Sequence, residues 1–125
     1  MLLLVEGYAH NHEFLTSETL VLNWLIEATR EIGMEIMGGP YTVSFGKGAG
    51  VTGLIVVKES HLAIHTWPEV SWVEAHISSC RDFDAHRAIA LLSKRANMPD
   101  PKPIIFGGGV ENGKVTRLHL IEWSL

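Results

Sequence analysis

Leu54-Ile55-Val56-Val57-Lys58-Glu59-Ser60-His61-Leu62-Ala63-Ile64-His65-Thr66-Trp67-Pro68 decides how this chain is read. Leu54 to Val57 is a continuous apolar, β-branched run, the pattern of a strand covered on both faces. Lys58 and Glu59 interrupt it. From His61 the pattern alternates, with Leu62, Ile64 and Thr66 on one face and His61, Ala63, His65 and Trp67 on the other. Pro68 closes the second strand. Two strands joined by a short polar turn are thus expected, and the flanks supply the remaining parts.

Upstream, Leu2 to Tyr8 reads as a first strand, ended by the polar stretch Ala9 to His12. Thr16 or Ser17 can cap a helix, with Glu18 favourably placed in the first turn. Val21, Trp24, Leu25, Ala28 and Ile32 recur at helical spacing, and Gly33 supplies the stop. Tyr41 to Phe45 is extended and leads into the glycine-rich run Gly46 to Gly50. Downstream, Trp72 to Cys80 is another strand. Asp82 or Asp84 can cap a second helix carrying Ala88, Ile89, Leu92 and Ala96, which ends before Pro99. Ile104 to Phe106 and Val115 to Trp123 read as strands joined by the turn Glu111 to Lys114. Two helices among about seven strands predict an α/β two-layer sandwich, a mainly antiparallel sheet with both helices on one face.

The 125 residues suit one domain, 1–125, with no linker, repeat or low-complexity tract. Ten basic against fourteen acidic side chains give a formal net charge of −4, with no basic run. That balance argues against nucleic-acid binding through phosphate neutralisation and against docking on an anionic membrane. The apolar start Met1 to Val5 is cut short by Glu6 and lacks a basic flank, so it fits neither a signal peptide nor a membrane span. A soluble cytoplasmic protein is expected. Cys80 is the single cysteine and excludes an internal disulfide.

Known motifs fail one by one. Gly48-Ala49-Gly50-Val51-Thr52-Gly53 matches the letters of a dinucleotide fingerprint, but a strand follows it where the pyrophosphate needs a helix N-terminus. His61 and His65 share a strand face yet stand ~13 Å apart along it, beyond the reach of one ion. His76 and Cys80 fail for the same reason, and His10 and His12 read as solvated loop residues. No metal is expected. Ser60 lies between two strands, away from any strand-to-helix elbow of the hydrolase type.

The segment Glu59-Ser60-His61-Leu62-Ala63-Ile64-His65-Thr66-Trp67-Pro68-Glu69 closely resembles the self-cleavage segment of the prokaryotic, pyruvoyl-dependent class of S-adenosylmethionine decarboxylases. Gly50-Val51-Thr52-Gly53 before an apolar strand is similar to that family too, as is Cys80 at the end of the next strand. The resemblance covers nearly the whole chain. Decarboxylating an α-amino acid needs a carbonyl that forms a Schiff base with the substrate amine and takes up the electrons. The resemblance implies that the chain makes this carbonyl itself, without pyridoxal phosphate. The Ser60 hydroxyl attacks the Glu59 carbonyl, the resulting ester is expelled by β-elimination, and hydrolysis leaves a pyruvoyl group.

By the same resemblance, cleavage between Glu59 and Ser60 yields a β chain, 1–59, and an α chain, 60–125. His65 is the base for the Cα proton during processing, and Thr52 polarises the rearranging carbonyl. Cys80 returns a proton to the carbanion carbon. Trp67, Glu69 and Phe45 line the nucleoside pocket. The implied product is the aminopropyl donor for spermidine, and the implied assembly is a homodimer of processed protomers with facing sheets.

Departures cluster near the substrate. Gly46 stands about where the family carries an adenine-stacking ring, with Phe45 one residue early. Glu74 and His76 replace a small apolar residue and an aspartate, Ser78 replaces an aromatic or apolar residue, and Arg81 replaces a glycine. Two alternatives therefore stay open. One is a pyruvoyl-dependent arginine or ornithine decarboxylase of the same fold. The other is an unprocessed, non-catalytic homologue acting as a binding or regulatory subunit.

Overall fold

A computed structural model describes residues 1–111 and 113–124. Among them the chain forms seven strands and three α-helices: β1 Leu2–Tyr8, α1 His12–Thr16, α2 Glu18–Glu31, β2 Ile36–Ser44, β3 Val51–Val57, β4 Ser60–Trp67, β5 Trp72–Ser78, α3 Ala85–Ala96, β6 Lys102–Glu111 and β7 Lys114–Trp123. A single 3-10 turn, Pro68–Val70, links β4 to β5. The strands form one sheet in the order β2-β3-β4-β5-β1-β6-β7. All six pairings are antiparallel. The first strand is thus inserted between the fifth and sixth.

The expected layering holds, with β1 at its predicted bounds and both main helices capped as expected. Ser17 Oγ accepts from the Leu20 amide at the start of α2, and Asp84 Oδ1 accepts from the Arg87 amide at the start of α3. Gly33, at φ 71°, follows the end of α2. The short helix α1 is additional to the two predicted, nucleated where Asn11 Oδ1 accepts from the Phe14 amide. Three strands run longer than predicted: β2 and β3 begin earlier, and β6 continues through the glycines 107–109. In the predicted turn from Glu111 to Lys114, Asn112 lies outside the described residues.

One face of the sheet carries the helices. Leu3, Val5, Ile55, Leu62, Ile64 and Ile77 are buried there against Val21, Trp24 and Leu25 of α2 and Leu92 of α3. Truncating Leu62 to Ala would cost about 3 kcal/mol by the usual cavity penalty. Gly53 permits the close seat of α2, since a Cβ there would stand 2.8 Å from Leu25 Cδ1. Glu27 of α2 takes two hydrogen bonds from Arg95 of α3, raising the Arg95 pKa.

Among the described residues the other face carries no helix, and this corrects one expectation. The run Leu54 to Val57 is covered on one side only. Val57 and Ile55 are buried, whereas Leu54 and Val56 are 38% and 40% exposed. Both main helices pack on the same side, so alternate residues of β3 face outward. Across this open face the register aligns Tyr41, Leu54, Ala63, His76, Leu4, Ile104 and Trp123 in one row. The adjacent row reads Val43, Thr52, His65, Glu74, Glu6 and Lys102, polar through its middle.

Candidate active site

The residues singled out in the sequence separate into two groups at opposite ends of β4. At its start, Lys58 and Glu59 form the tight turn of the β3–β4 hairpin, which pairs Val57 with Ser60. Glu59 sits at φ 61°, a left-handed conformation that costs a non-glycine residue about 1–2 kcal/mol. Ser60 Oγ donates to the Glu59 carbonyl oxygen at 2.5 Å and accepts from the Cys80 amide at 3.0 Å. The hydroxyl is therefore held against the carbonyl that precedes it. Cys80, half-buried, follows the end of β5 and borders the same corner.

At the far end of β4, Thr52 Oγ1 lies 3.0 Å from His65 Nδ1, across the β3–β4 ladder. These two line a cavity of about 500 Å³ together with Phe45, Trp67 and Glu69. Gly50 closes its floor: a Cβ there would meet the Thr66 carbonyl oxygen at 2.1 Å. Close approach to β4, not phosphate binding, is what the glycine serves. Thr66 ties the region together, its Oγ1 donating to the Leu15 carbonyl and accepting from the Val51 amide. Phe45 reaches this cavity despite its displaced position in sequence, and 68% of its surface is open to solvent.

The two groups do not meet within one chain. Five strand steps separate Ser60 from His65, a span of about 17 Å. A further cluster was marked in the sequence only as departures: His76 Nε2 lies 2.5 Å from Glu74 Oε1 on the open face, and the His76 and His65 rings are 5.7 Å apart. The alternation of β5 was the available signal, since it places residues 74 and 76 on one side. Two smaller cavities flank the Glu59–Ser60 bond. One, about 210 Å³, opens among Leu2, Ser78, Cys80 and Leu118. The other, about 330 Å³, lies among Gly33, Glu35, Lys58, Glu59, Cys80 and Arg81.

A family model described as S-adenosylmethionine decarboxylase matches residues 1–100. The chain belongs to the S-adenosylmethionine decarboxylase family. That match includes both groups of site residues and ends before β6. An S-adenosylmethionine decarboxylase proenzyme of Moorella thermoacetica is 35% identical over 101 residues, covering 76% of this chain and 78% of that protein. Its counterpart from Caldanaerobacter subterraneus is 31% identical over 102 residues, covering 77% and 79%. The one from Pseudomonas aeruginosa is 35% identical over 77 residues, 59% of this chain and 48% of that protein, so the chain spans about half the length of this family member. The crystal structure of the adenosylmethionine decarboxylase from Aquifex aeolicus VF5 superposes with a TM-score of 0.71 over 82% of this chain and 83% of that one. At 20% identity that likeness is one of fold. No helix among the described residues is long and apolar enough to cross a membrane.

Proposed function

We propose that the chain is a self-cleaving decarboxylase of S-adenosylmethionine that derives a pyruvoyl group from Ser60. The observation that carries this reading is the Ser60 hydroxyl, held by the Cys80 amide against the Glu59 carbonyl at the strained end of a tight turn. Attack of Oγ on that carbonyl carbon converts the peptide bond to an ester. Removal of the residue 60 Cα proton then expels Glu59 as a carboxylate and divides the chain into 1–59 and 60–125; the dehydroalanine left at residue 60 takes up water and loses ammonia to give the pyruvoyl group. The residues fit the group to be formed, because only a side-chain oxygen on Cβ can act first as nucleophile and then as leaving atom. The pyruvoyl carbonyl supplies the electron sink for decarboxylation.

The other residues act around that centre. His65 is suited to proton removal because Thr52 fixes its ring from the Nδ1 side. Cys80, beside residue 60, is suited to return a proton to the substrate carbon. Phe45, Trp67 and Glu69 offer aromatic faces for a purine and a carboxylate for ribose hydroxyls, which favours S-adenosylmethionine over arginine or ornithine.

Because one chain keeps its two groups about 17 Å apart, the complete site needs a second copy. A two-fold axis lying between two open sheet faces and crossing β4 at right angles would bring the Ser60 end of each β4 alongside the other copy's Thr52 and His65. The exposed apolar side chains of that face, Tyr41, Leu54, Val56, Leu120 and Trp123 among them, support such a homodimer. The proposed product is the aminopropyl donor for spermidine.

Intact-mass spectrometry tests the reading at its root. Two fragments are expected, the larger beginning in a pyruvoyl group and hence blocked to Edman sequencing. A single full-length mass that persists on long incubation would overturn it. Carbon dioxide release from carboxyl-labelled S-adenosylmethionine, arginine and ornithine, run in parallel, then assigns the substrate.

A further inference from the structure

Self-cleavage creates a new charge at a fixed place, and the fold has a cavity beside it. We infer that the 330 Å³ cavity bordered by Lys58, Glu59 and Arg81 is the receiving site for the carboxylate released at Glu59, with Arg81 as the residue that holds it. This rests on the proposed cleavage. The register locates the groups: the β4–β5 ladder pairs His61 with Ser78. Just beyond that pair the Cys80 amide donates to Ser60 Oγ, and Cys80 and Arg81 share the cavity lining with Lys58 and Glu59.

Strain gives the movement a direction. Glu59 sits at φ 61° in the turn that its bond to Ser60 closes. Once that bond is cut, residue 59 relaxes toward ordinary backbone conformations. The cavity is open to it on the side of the α2–β2 connection, away from the open sheet face on which the second copy's Trp67 and Glu69 would bring substrate.

The Arg81 fork gives it a destination. Before cleavage the walls carry two cations, Lys58 and Arg81, against the side-chain carboxylates of Glu35 and Glu59. In the elimination the Cα proton goes to the base, the Ser60 Cβ–O bond breaks, and its electron pair leaves with the Glu59 carboxylate. One negative charge is added. Left beside residue 60 it would repel the carboxylate of an incoming amino-acid substrate. Arg81 is anchored by Nη2 on the Gly33 carbonyl, which leaves further N–H groups of its planar fork for a second acceptor.

The test uses the processed enzyme and a non-specific carboxypeptidase, with trimming of the 1–59 chain followed by intact mass. The wild-type chain end resists. In Arg81→Ala it is trimmed roughly tenfold faster, the equivalent of one charge-assisted hydrogen bond lost. Arg81→Lys, which keeps the charge without the fork, falls between them, and it guards against a fold defect in the alanine variant. Equal trimming in all three would overturn the inference. So would an Arg81→Ala chain that folds but fails to cleave, since a holding site acts only after the cut. A wild type that never cleaves is a different result: it removes the proposed function and is seen by mass before any protease is added.

Discussion

The two ends of β4 are built in different ways. At the Ser60 end the reacting groups are backbone and near-backbone atoms: a carbonyl in a tight turn, a neighbouring amide and a short hydroxyl side chain. A non-glycine residue is forced there into left-handed space. At the His65 end the ladder is regular, and the working parts are long side chains around an open cavity. Strain and close approach suit a reaction the chain performs once on itself. Breadth and aromatic surface suit a ligand bound many times over. The nucleophile and the carbonyl it faces are thus at one end and the proposed base and recognition side chains at the other, which a dimer would reunite.

Substitutions at each end test that division. Ser60→Ala is expected to abolish cleavage altogether, leaving one full-length mass; fragments in this variant would remove Ser60 from the scheme. His65→Ala should also remain uncleaved by itself, yet co-expression with Ser60→Ala should restore cleavage of the His65→Ala chain. Each variant then supplies the end the other lacks. No restoration in a mixed dimer would break the idea of a site shared between copies.

Cys80→Ala should cleave nearly as the parent does while its turnover falls by roughly 10²–10⁴, the usual worth of a general acid. Unchanged turnover would exclude the thiol. At the recognition end, Trp67→Ala should leave cleavage intact and raise KM roughly tenfold, in keeping with one lost stacking contact. A cleavage defect there would draw Trp67 into processing alongside His65. The smallest effect concerns the strain itself. In the uncleavable Ser60→Ala background, Glu59→Gly should raise stability by about 0.5–1 kcal/mol, a Tm gain of ~2–4 °C. No gain on thermal unfolding would mean that the turn stores nothing.

Much of this was legible in the residues. The alternation from His61 to Trp67 gave β4 its faces, and the caps at Ser17 and Asp84 lie where short polar side chains precede helical periodicity. Helix α1 was not legible, because five residues are too few to establish a period. The apolar run in β3 was misread for a physical reason: it reports that its residues avoid water, and says nothing of what covers them. Phe45 was assigned to the nucleoside pocket although its place in the sequence is displaced, and the cavity at the far end of β4 includes it. The separation of Ser60 from His65 was within reach of sequence reasoning. The strand arithmetic that excluded a metal between His61 and His65 applies equally to residues 60 and 65. The pairing of Glu74 with His76 needed the register as well as the letters.

The position of β1 between β5 and β6 has a consequence of its own. A cut after Glu59 leaves a first piece with β1, α1, α2, β2 and β3, and a second with β4 to β7 and α3. The first piece then clasps the second at two places, through the β3–β4 ladder and through both edges of β1. Losing one peptide bond therefore releases nothing, and the halves stay interlaced. Unfolding, however, becomes a dissociation. The melting temperature of the processed protein should rise with its concentration, as for any assembly whose parts separate on denaturation.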